Sequence, residues 1–290
     1  MIYRISNSDL TVSIHSFGAE LQQITGKDGT EYLCPDKRRN WNGHAPVLFP
    51  NTGMVKDGYA LIDGKQYPYI QHGFAKTSPF TVAHQSDNQI CFRLDWSEET
   101  LSRFPFRFRF EVTYQLCGNI LEVASRIDNL DQQEMPCSLG FHPGFSCPIL
   151  PEESAQDYEF TFSESMTADR ILLQDALVAD TQETFWNNIL SLPVTEGMFD
   201  GGSFTMVNPS SRGIKLRSRK SGRSLSVHLG DYPNLVLWAP KNEKITNICI
   251  EPWYGIPDLQ DGDHNPAHKP YTMLIGAGQS RTLTFWLQFC

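Results

Sequence analysis

The chain has no concentration of positive charge large enough to grip nucleic acid. Its 24 Lys and Arg are outnumbered by 33 Asp and Glu, a formal charge of −9, and phosphate recognition needs a clustered basic footprint. The densest basic run, RSRKSGR at 217–223, reads as a hairpin turn between GIKLRSR and SLSVHL. Nucleic acid is thus not an expected partner. Nor is a membrane: no apolar run approaches the ~20 residues that span a bilayer. MIYRISNSDL at the N-terminus lacks the apolar stretch of a signal peptide, so the chain reads as cytoplasmic. The seven cysteines (34, 91, 117, 137, 147, 249 and 290) are odd in number and form no C-x-x-C pair, which fits reduced, structural thiols. Cys91 and Cys249 sit inside apolar strand patterns, as small buried hydrophobes do. G-x-S-x-G, the P-loop and G-x-G-x-x-G are all absent, so no phosphate- or dinucleotide-binding motif marks the chain. No cofactor is expected.

Helical periodicity is also scarce. Only SEETLSRF (97–104) and TQETFWNNIL (181–190) predict short helices. No stretch repeats βα units, which disfavours a parallel doubly wound sheet. Strand patterns fill the rest. IYRIS (2–6), LTVSIHS (10–16) and AELQQIT (19–25) alternate apolar and polar residues. YALI (59–62) and KQYPYI (65–70) flank Asp63-Gly64, a strong hairpin turn. FRFRFEVTYQL (106–116) and NILEVASRI (119–127) flank Cys117-Gly118. FTMV (204–207), GIKLRSR (213–219), SLSVHL (224–229), LVLWA (235–239), ICIE (248–251) and SRTLTFWLQF (280–289) continue the series. Roughly fifteen strands with short polar connections predict an all-β fold, a large antiparallel β-sandwich. With no linker, residues 1–290 are expected to form one domain; such folds run to ~250 residues as a single unit. DGDHNPAHKP (261–270) is the longest expected irregular loop. Hydrophobic residues at 40% and charged residues at 20% exclude general disorder. Aromatics at 12% suit a site that stacks on a sugar or a base.

Three segments place an ionisable residue among Gly, Pro and aromatics at a strand end. In Gln71-His72-Gly73-Phe74-Ala75, the glycine permits close backbone approach to a ligand and Phe74 supplies an apolar wall. In Leu139-Gly140-Phe141-His142-Pro143-Gly144-Phe145, a stiff backbone holds a histidine between aromatics. Desolvation lowers its pKa and a nearby carboxylate raises it again, the tuning a general acid needs. In Cys249-Ile250-Glu251-Pro252-Trp253-Tyr254-Gly255, Glu251 closes an apolar strand, where burial lifts a carboxyl towards the range of a working base. Trp253 and Tyr254 offer a stacking surface. Each residue also has a bland reading: a histidine satisfied by a carbonyl, or a glutamate in a structural ion pair. His15, His84 and His228 lie in strand patterns, while His44 is near enough in WNGHAPVLFP to approach a site. His264 and His268 have H-x-x-x-H spacing, but in a Gly/Pro loop rather than on the helix a metal pair needs.

Together the segments resemble the aldose 1-epimerase (galactose mutarotase) family, in its compact, divergent branch. The matching residues are Phe17-Gly18-Ala19-Glu20-Leu21, Pro46-Val47-Leu48-Phe49-Pro50 with Gly53, and the three segments above, in order. The resemblance implies a mutarotase-like supersandwich that binds a free sugar and interconverts its α and β anomers without metal or cofactor. It implies Glu251 as the base, His142 as the acid, and His72 as a binder of sugar hydroxyls. Two departures stand out. Met54 occupies the place of an arginine that commonly contacts sugar hydroxyls in the family, leaving Asn51 and Lys56 as the nearest replacements. The family's Gly-Tyr-Asp-His segment is absent, with Asp200 of Met198-Phe199-Asp200-Gly201-Gly202 the nearest aspartate in order. Two other functions remain open on sequence: a carbohydrate-binding protein that uses the same cleft without turnover, and a 2-His-1-carboxylate metal site made from His72, His142 and Glu251.

Overall fold

Period-2 burial is what builds the core. Along the strand Phe108–Cys117 the residues alternate buried and less buried, placing Phe108, Phe110, Val112, Tyr114 and Leu116 on one face. That strand turns back through Gly118 (φ +56°) into Ile120–Asn129, with Cys117 opposite Ile120. The computed structural model describes residues 1–35, 41, 43–241 and 243–290.

Every ladder between the described strands is antiparallel. The main sheet runs, in spatial order, through Val47–Leu48, Leu139–Phe141, Asn247–Tyr254, Asn234–Trp238, Phe204–Val207 and Tyr158–Gln174. It continues through Gly213–Ser218, Ser224–His228, Ser280–Phe289, Ile120–Asn129, Phe108–Cys117, Gln89–Asp95 and Thr81–Gln85. A second layer of three strands, Ile2–Ser6, Leu10–His15 and Glu20–Gly26, packs on it. Tyr114 Oη donates to the Ala19 carbonyl at 2.7 Å, and Tyr3 meets Phe92 edge-on at 5.7 Å. One apolar cluster extends from Ile5 to Phe289. The fold is the expected large antiparallel β-sandwich, with 22 strands among the described residues rather than roughly fifteen. The extra strands include short ones, such as Met135–Cys137 and Gly144–Ser146, and the two 17-residue strands Tyr158–Gln174 and Leu177–Pro193. Among the described residues, no helix is long and apolar enough to cross a membrane.

Several turn expectations hold. Asp63 (φ +49°) and Gly64 (φ +72°) join Tyr59–Ile62 to Lys65–Pro68. The basic run 217–223 spans the turn from Gly213–Ser218 to Ser224–His228. The segment 97–104 contains one helix, Glu98–Leu101, capped by a reciprocal Ser97–Thr100 box. The other helix expectation is corrected. Residues 181–190 lie inside a 17-residue strand, Leu177–Pro193, paired with Tyr158–Gln174. The register slips four times along this pair, and Thr184 (φ +50°) and Asn188 (φ +59°) turn the backbone locally. These bulges place Phe185, Trp186 and Ile189 against the core, an order that breaks strict alternation and imitates a helical repeat.

Candidate functional site

Glu251 and Trp253 share one face of the strand Asn247–Tyr254, two residues apart. They point into a cleft of about 1090 Å³, also lined by His72, His142, Trp41, Trp238, Met54, Lys76 and Arg170. His142 follows the strand Leu139–Phe141, which pairs with both Asn247–Tyr254 and Val47–Leu48. Its amide donates to the Pro46 carbonyl at 3.1 Å. Trp41 stacks on its imidazole at 4.7 Å, and Trp238 meets it edge-on at 5.6 Å. Gly144 lets the Trp41 indole pack closely here: a Cβ would lie 3.1 Å from its nitrogen, a tight contact.

His142 Nε2 stands 3.5 Å from Glu251 Oε1. The other carboxyl oxygen, Oε2, accepts the Trp253 indole N–H at 3.0 Å, while Oε1 has no hydrogen-bond partner among the described residues. Glu251 is 1% exposed. Burial pushes its carboxyl well above the usual range, with the Trp253 indole pulling the other way. Burial likewise lowers the His142 imidazole to about 3, weakly opposed by its own backbone carbonyl. Both effects favour the uncharged form of each partner.

His72 adopts a left-handed backbone, φ +65°. Its Nδ1 accepts the Gly53 N–H at 3.1 Å, which leaves the proton of the neutral ring on Nε2. The ring meets His142 at 5.6 Å and Trp253 at 5.7 Å, edge-on to both. Burial drives its pKa well down, assisted by His142 and Lys76. The structure thus brings together His72, His142, Glu251 and Trp253. Tyr254 is on the opposite strand face from Glu251, packed against the core. Asn51 and Lys56 line a separate cavity: the Asn51 amide donates to the Ile70 carbonyl and the Lys56 ammonium to the Gly262 carbonyl. Asp200 turns its carboxylate back over its own loop, near Gly197. None of these four lines the cleft: strand alternation and the loop paths carry their side chains elsewhere.

Trp41, Trp238, Lys76 and Arg170 were not expected from the sequence. Arg170 comes from the strand Tyr158–Gln174, far along the chain from every matched motif. Its guanidinium lies over Phe185 and Phe204, each at 4.8 Å, and donates to the Ser203 carbonyl at 3.2 Å. Trp238, ending the strand LVLWA as Trp253 ends ICIEPW, carried a usable hint. Arg170 carried none.

A metal reading finds a different donor set from the expected one. His142, Cys249 and Glu251 each offer a ligand atom within 4.8 Å of one another, and His72 is not among them. Burial raises both the Cys249 thiol and the Glu251 carboxyl well above their ordinary values, so a cation would have to displace protons from both.

The sequence matches the family model described as aldose 1-epimerase over residues 1–268. It is 33% identical to Protein LacX (plasmid) of Lactococcus lactis subsp. lactis over 273 residues, 91% of each chain. Its structure is similar to a galactose mutarotase-like protein from Lactobacillus casei, with a TM-score of 0.92, 31% identity and full coverage of both chains. It is also similar to a galactose mutarotase related enzyme from Lactobacillus acidophilus, with a TM-score of 0.91, 30% identity, and coverage of 100% of this chain and 97% of that one. With its paired histidine and glutamate on the floor of an aromatic-walled cleft, this chain belongs to the aldose 1-epimerase family.

Proposed function

We propose that the protein interconverts the α and β anomers of a free aldose by acid–base ring opening. The observation that carries this reading is the approach of Glu251 Oε1 to His142 Nε2, 3.5 Å apart, at the base of a sugar-sized cleft. The sugar's O1 proton passes to Oε1 while His142 Nε2–H protonates the ring oxygen. The bond from C1 to the ring oxygen breaks and C1 becomes an aldehyde. Rotation about C1–C2 turns the other carbonyl face, and both transfers reverse. Acid–base groups held in place contribute ~10²–10⁴-fold in rate, sufficient for a reaction that proceeds unaided in water. Polarimetry, or NMR saturation exchange on freshly dissolved α-glucose and α-galactose, tests the reading directly. No acceleration for any sugar of a broad panel overturns it. Saturable sugar binding that survives Glu251→Gln, with no exchange above the buffer rate, would instead mark a binding protein.

The pair works with one shared proton. Ring opening begins with His142 protonated and Glu251 ionised, and ends with the proton on Glu251. Burial favours the second arrangement, and the Trp253 indole offsets that bias by stabilising the carboxylate. Trp253→Phe is expected to slow exchange about 10–100-fold, the worth of one hydrogen bond to a charged acceptor. Its pH–rate profile should lose activity at a higher alkaline pH than wild type, because the shared proton is held more tightly. An unchanged alkaline limb would remove that role.

His72 presents a neutral Nε2–H donor to the sugar's oxygens. Arg170 supplies the grip that Met54 cannot give, its guanidinium held in place by two rings and a carbonyl before any sugar arrives. Arg170→Met is expected to raise KM about tenfold or more with a smaller change in kcat, the pattern of lost uniform binding. Steady-state kinetics with the preferred aldose would check it.

A further inference from the structure

Two short strands follow one another along the edge of Asn247–Tyr254. Gly140 of Leu139–Phe141 lies opposite Trp253, and Gly144 of Gly144–Ser146 lies opposite Cys249. The same register carried through 141–143 sets His142 opposite Glu251, with Cys249 as its diagonal neighbour. Strand alternation puts Cys249, Glu251 and Trp253 on one face. The acid–base reading uses Glu251 and His142 and gives the thiol beside them no task.

One ligand atom from each of His142, Cys249 and Glu251 lies within 4.8 Å of the other two. His142 Nε2 and Glu251 Oε1 are 3.5 Å apart. Around a tetrahedral zinc, with bonds of about 2.0–2.3 Å, the ligand atoms stand roughly 3.3–3.8 Å from one another. The imidazole and the carboxyl already meet that spacing, and the sulfur has to close by only about 1 Å. Glu251 Oε1 makes no hydrogen bond among the described residues, in a side chain 1% exposed, and its approach to the histidine aims it into this cluster. The Trp253 indole fixes the other oxygen, Oε2, as an outer partner orients a metal-binding carboxylate.

A nitrogen, a sulfur and an oxygen donor together select zinc, cobalt or cadmium over magnesium and calcium, which take oxygen ligands. On binding, the Glu251 carboxyl and the Cys249 thiol each release a proton to solvent. A dication held by one carboxylate, one thiolate and one neutral imidazole then leaves no net charge on the buried floor, which limits the cost of desolvation. Cys249 is fully buried, whereas His142 and Glu251 line the cleft, so a cation enters past them and keeps its fourth position for water. A resident metal's histidine is normally braced through its second ring nitrogen. His142 Nδ1 has no partner among the described residues, which favours a reversible occupant over a permanent one. We infer that His142, Cys249 and Glu251 bind a thiophilic divalent cation such as zinc, which inhibits anomer exchange by occupying the acid and the base. The inhibition rests on the roles proposed above for Glu251 and His142; the binding does not.

Cadmium is the probe for binding, because a cadmium–thiolate bond absorbs in the ultraviolet. Cys117 and Cys290, the exposed thiols, are first replaced by serine so that they do not contribute. Cadmium is expected to bind with a thiolate band, and Cys249→Ala to abolish the band and weaken binding about 100-fold or more, since outer partners alone are worth about 10–100-fold. Cys249→Ser, closer in size, gives the same readings if the alanine variant does not fold. Zinc is expected to slow exchange towards the buffer rate, EDTA to restore it, and magnesium to do neither. Cys249→Ala should keep the metal-free rate and need about 100-fold more zinc for the same inhibition. The assignment is overturned if cadmium shows no saturable binding, if it binds without a thiolate band, or if the band survives Cys249→Ala. Zinc that inhibits Cys249→Ala as strongly as wild type overturns it equally, and zinc that binds at Cys249 without slowing exchange removes the inhibitory role. A protein inactive on every sugar would fail by polarimetry and still give the cadmium band, so the two readings fail separately.

Discussion

Replacing Glu251 by glutamine is expected to slow anomer exchange by about 10²–10⁴-fold and, in the same protein, to raise the unfolding temperature at neutral pH. In the proposed mechanism, the activity loss follows from removing the group that accepts the O1 proton. The gain in stability follows from burial. An unfolded glutamate ionises above about 4.5, whereas the folded Glu251 holds its proton well beyond that. Between those two values the unfolded state binds fewer protons, so wild-type stability falls as pH rises through the window. Glutamine has no proton to lose and escapes the fall. His142 has the opposite slope: its folded value near 3 lies below the ordinary 6.5, so stability is lost as pH falls from about 6.5 towards 3. Thermal melts of wild type and Glu251→Gln between pH 5 and 9 check the sign. A variant that melts lower than wild type at pH 8 would show Glu251 ionised and ion-paired with His142, and would refute the neutral resting pair.

The second large effect concerns the backbone behind His72. A Cβ on Gly73 would lie 2.1 Å from the Phe49 carbonyl oxygen, and Gly73 sits at φ +67°. Gly73→Ala meets two costs: about 1–2 kcal/mol for the left-handed backbone and about 1–3 kcal/mol for displaced neighbours. The melting temperature should fall by roughly 5–15 °C. The surviving folded protein should turn over poorly, because relief of the clash moves the adjacent His72. Gly64→Ala provides the control. Gly64 has a similar φ, +72°, with nothing within 4 Å of the added carbon, so only the backbone cost applies. Equal losses for the two variants would show that the contact with Phe49 is not tight.

What the sequence made legible and what it hid divide along physical lines. Asp63-Gly64 was readable because a two-residue turn with positive φ at both positions has few chemical solutions. His72, His142 and Glu251 were readable because each sits in a short, stiff segment whose neighbours betray a buried, polar strand end. Tyr254 stays out of the cleft because adjacency in sequence is opposition in a strand: the face that holds Glu251 and Trp253 excludes it. Asn51 and Lys56 line the other cavity because the chain from 50 to 56 forms a partition, and nearness in sequence does not say which side a residue faces. Arg170 was invisible because its role depends on a hairpin arm whose irregular register no local pattern announces. The segment 181–190 failed for the same reason, since bulges scramble the alternation that identifies strands.

That arm also bears on how copies of the molecule avoid one another. Leu177–Pro193 pairs only with Tyr158–Gln174 among the named strands, so beyond the bridge that Val178 makes to Asp258 and Gln260 its outer edge is not laddered to another named strand. A straight edge of that length would be a template for intermolecular sheet growth. Here the four register slips and the left-handed kinks at Thr184 and Asn188 interrupt the edge, and Asp180 and Glu183 add negative charge beside it. The irregularity that disguised this strand as a helix therefore also guards it: an incoming strand finds no continuous register in which to zip.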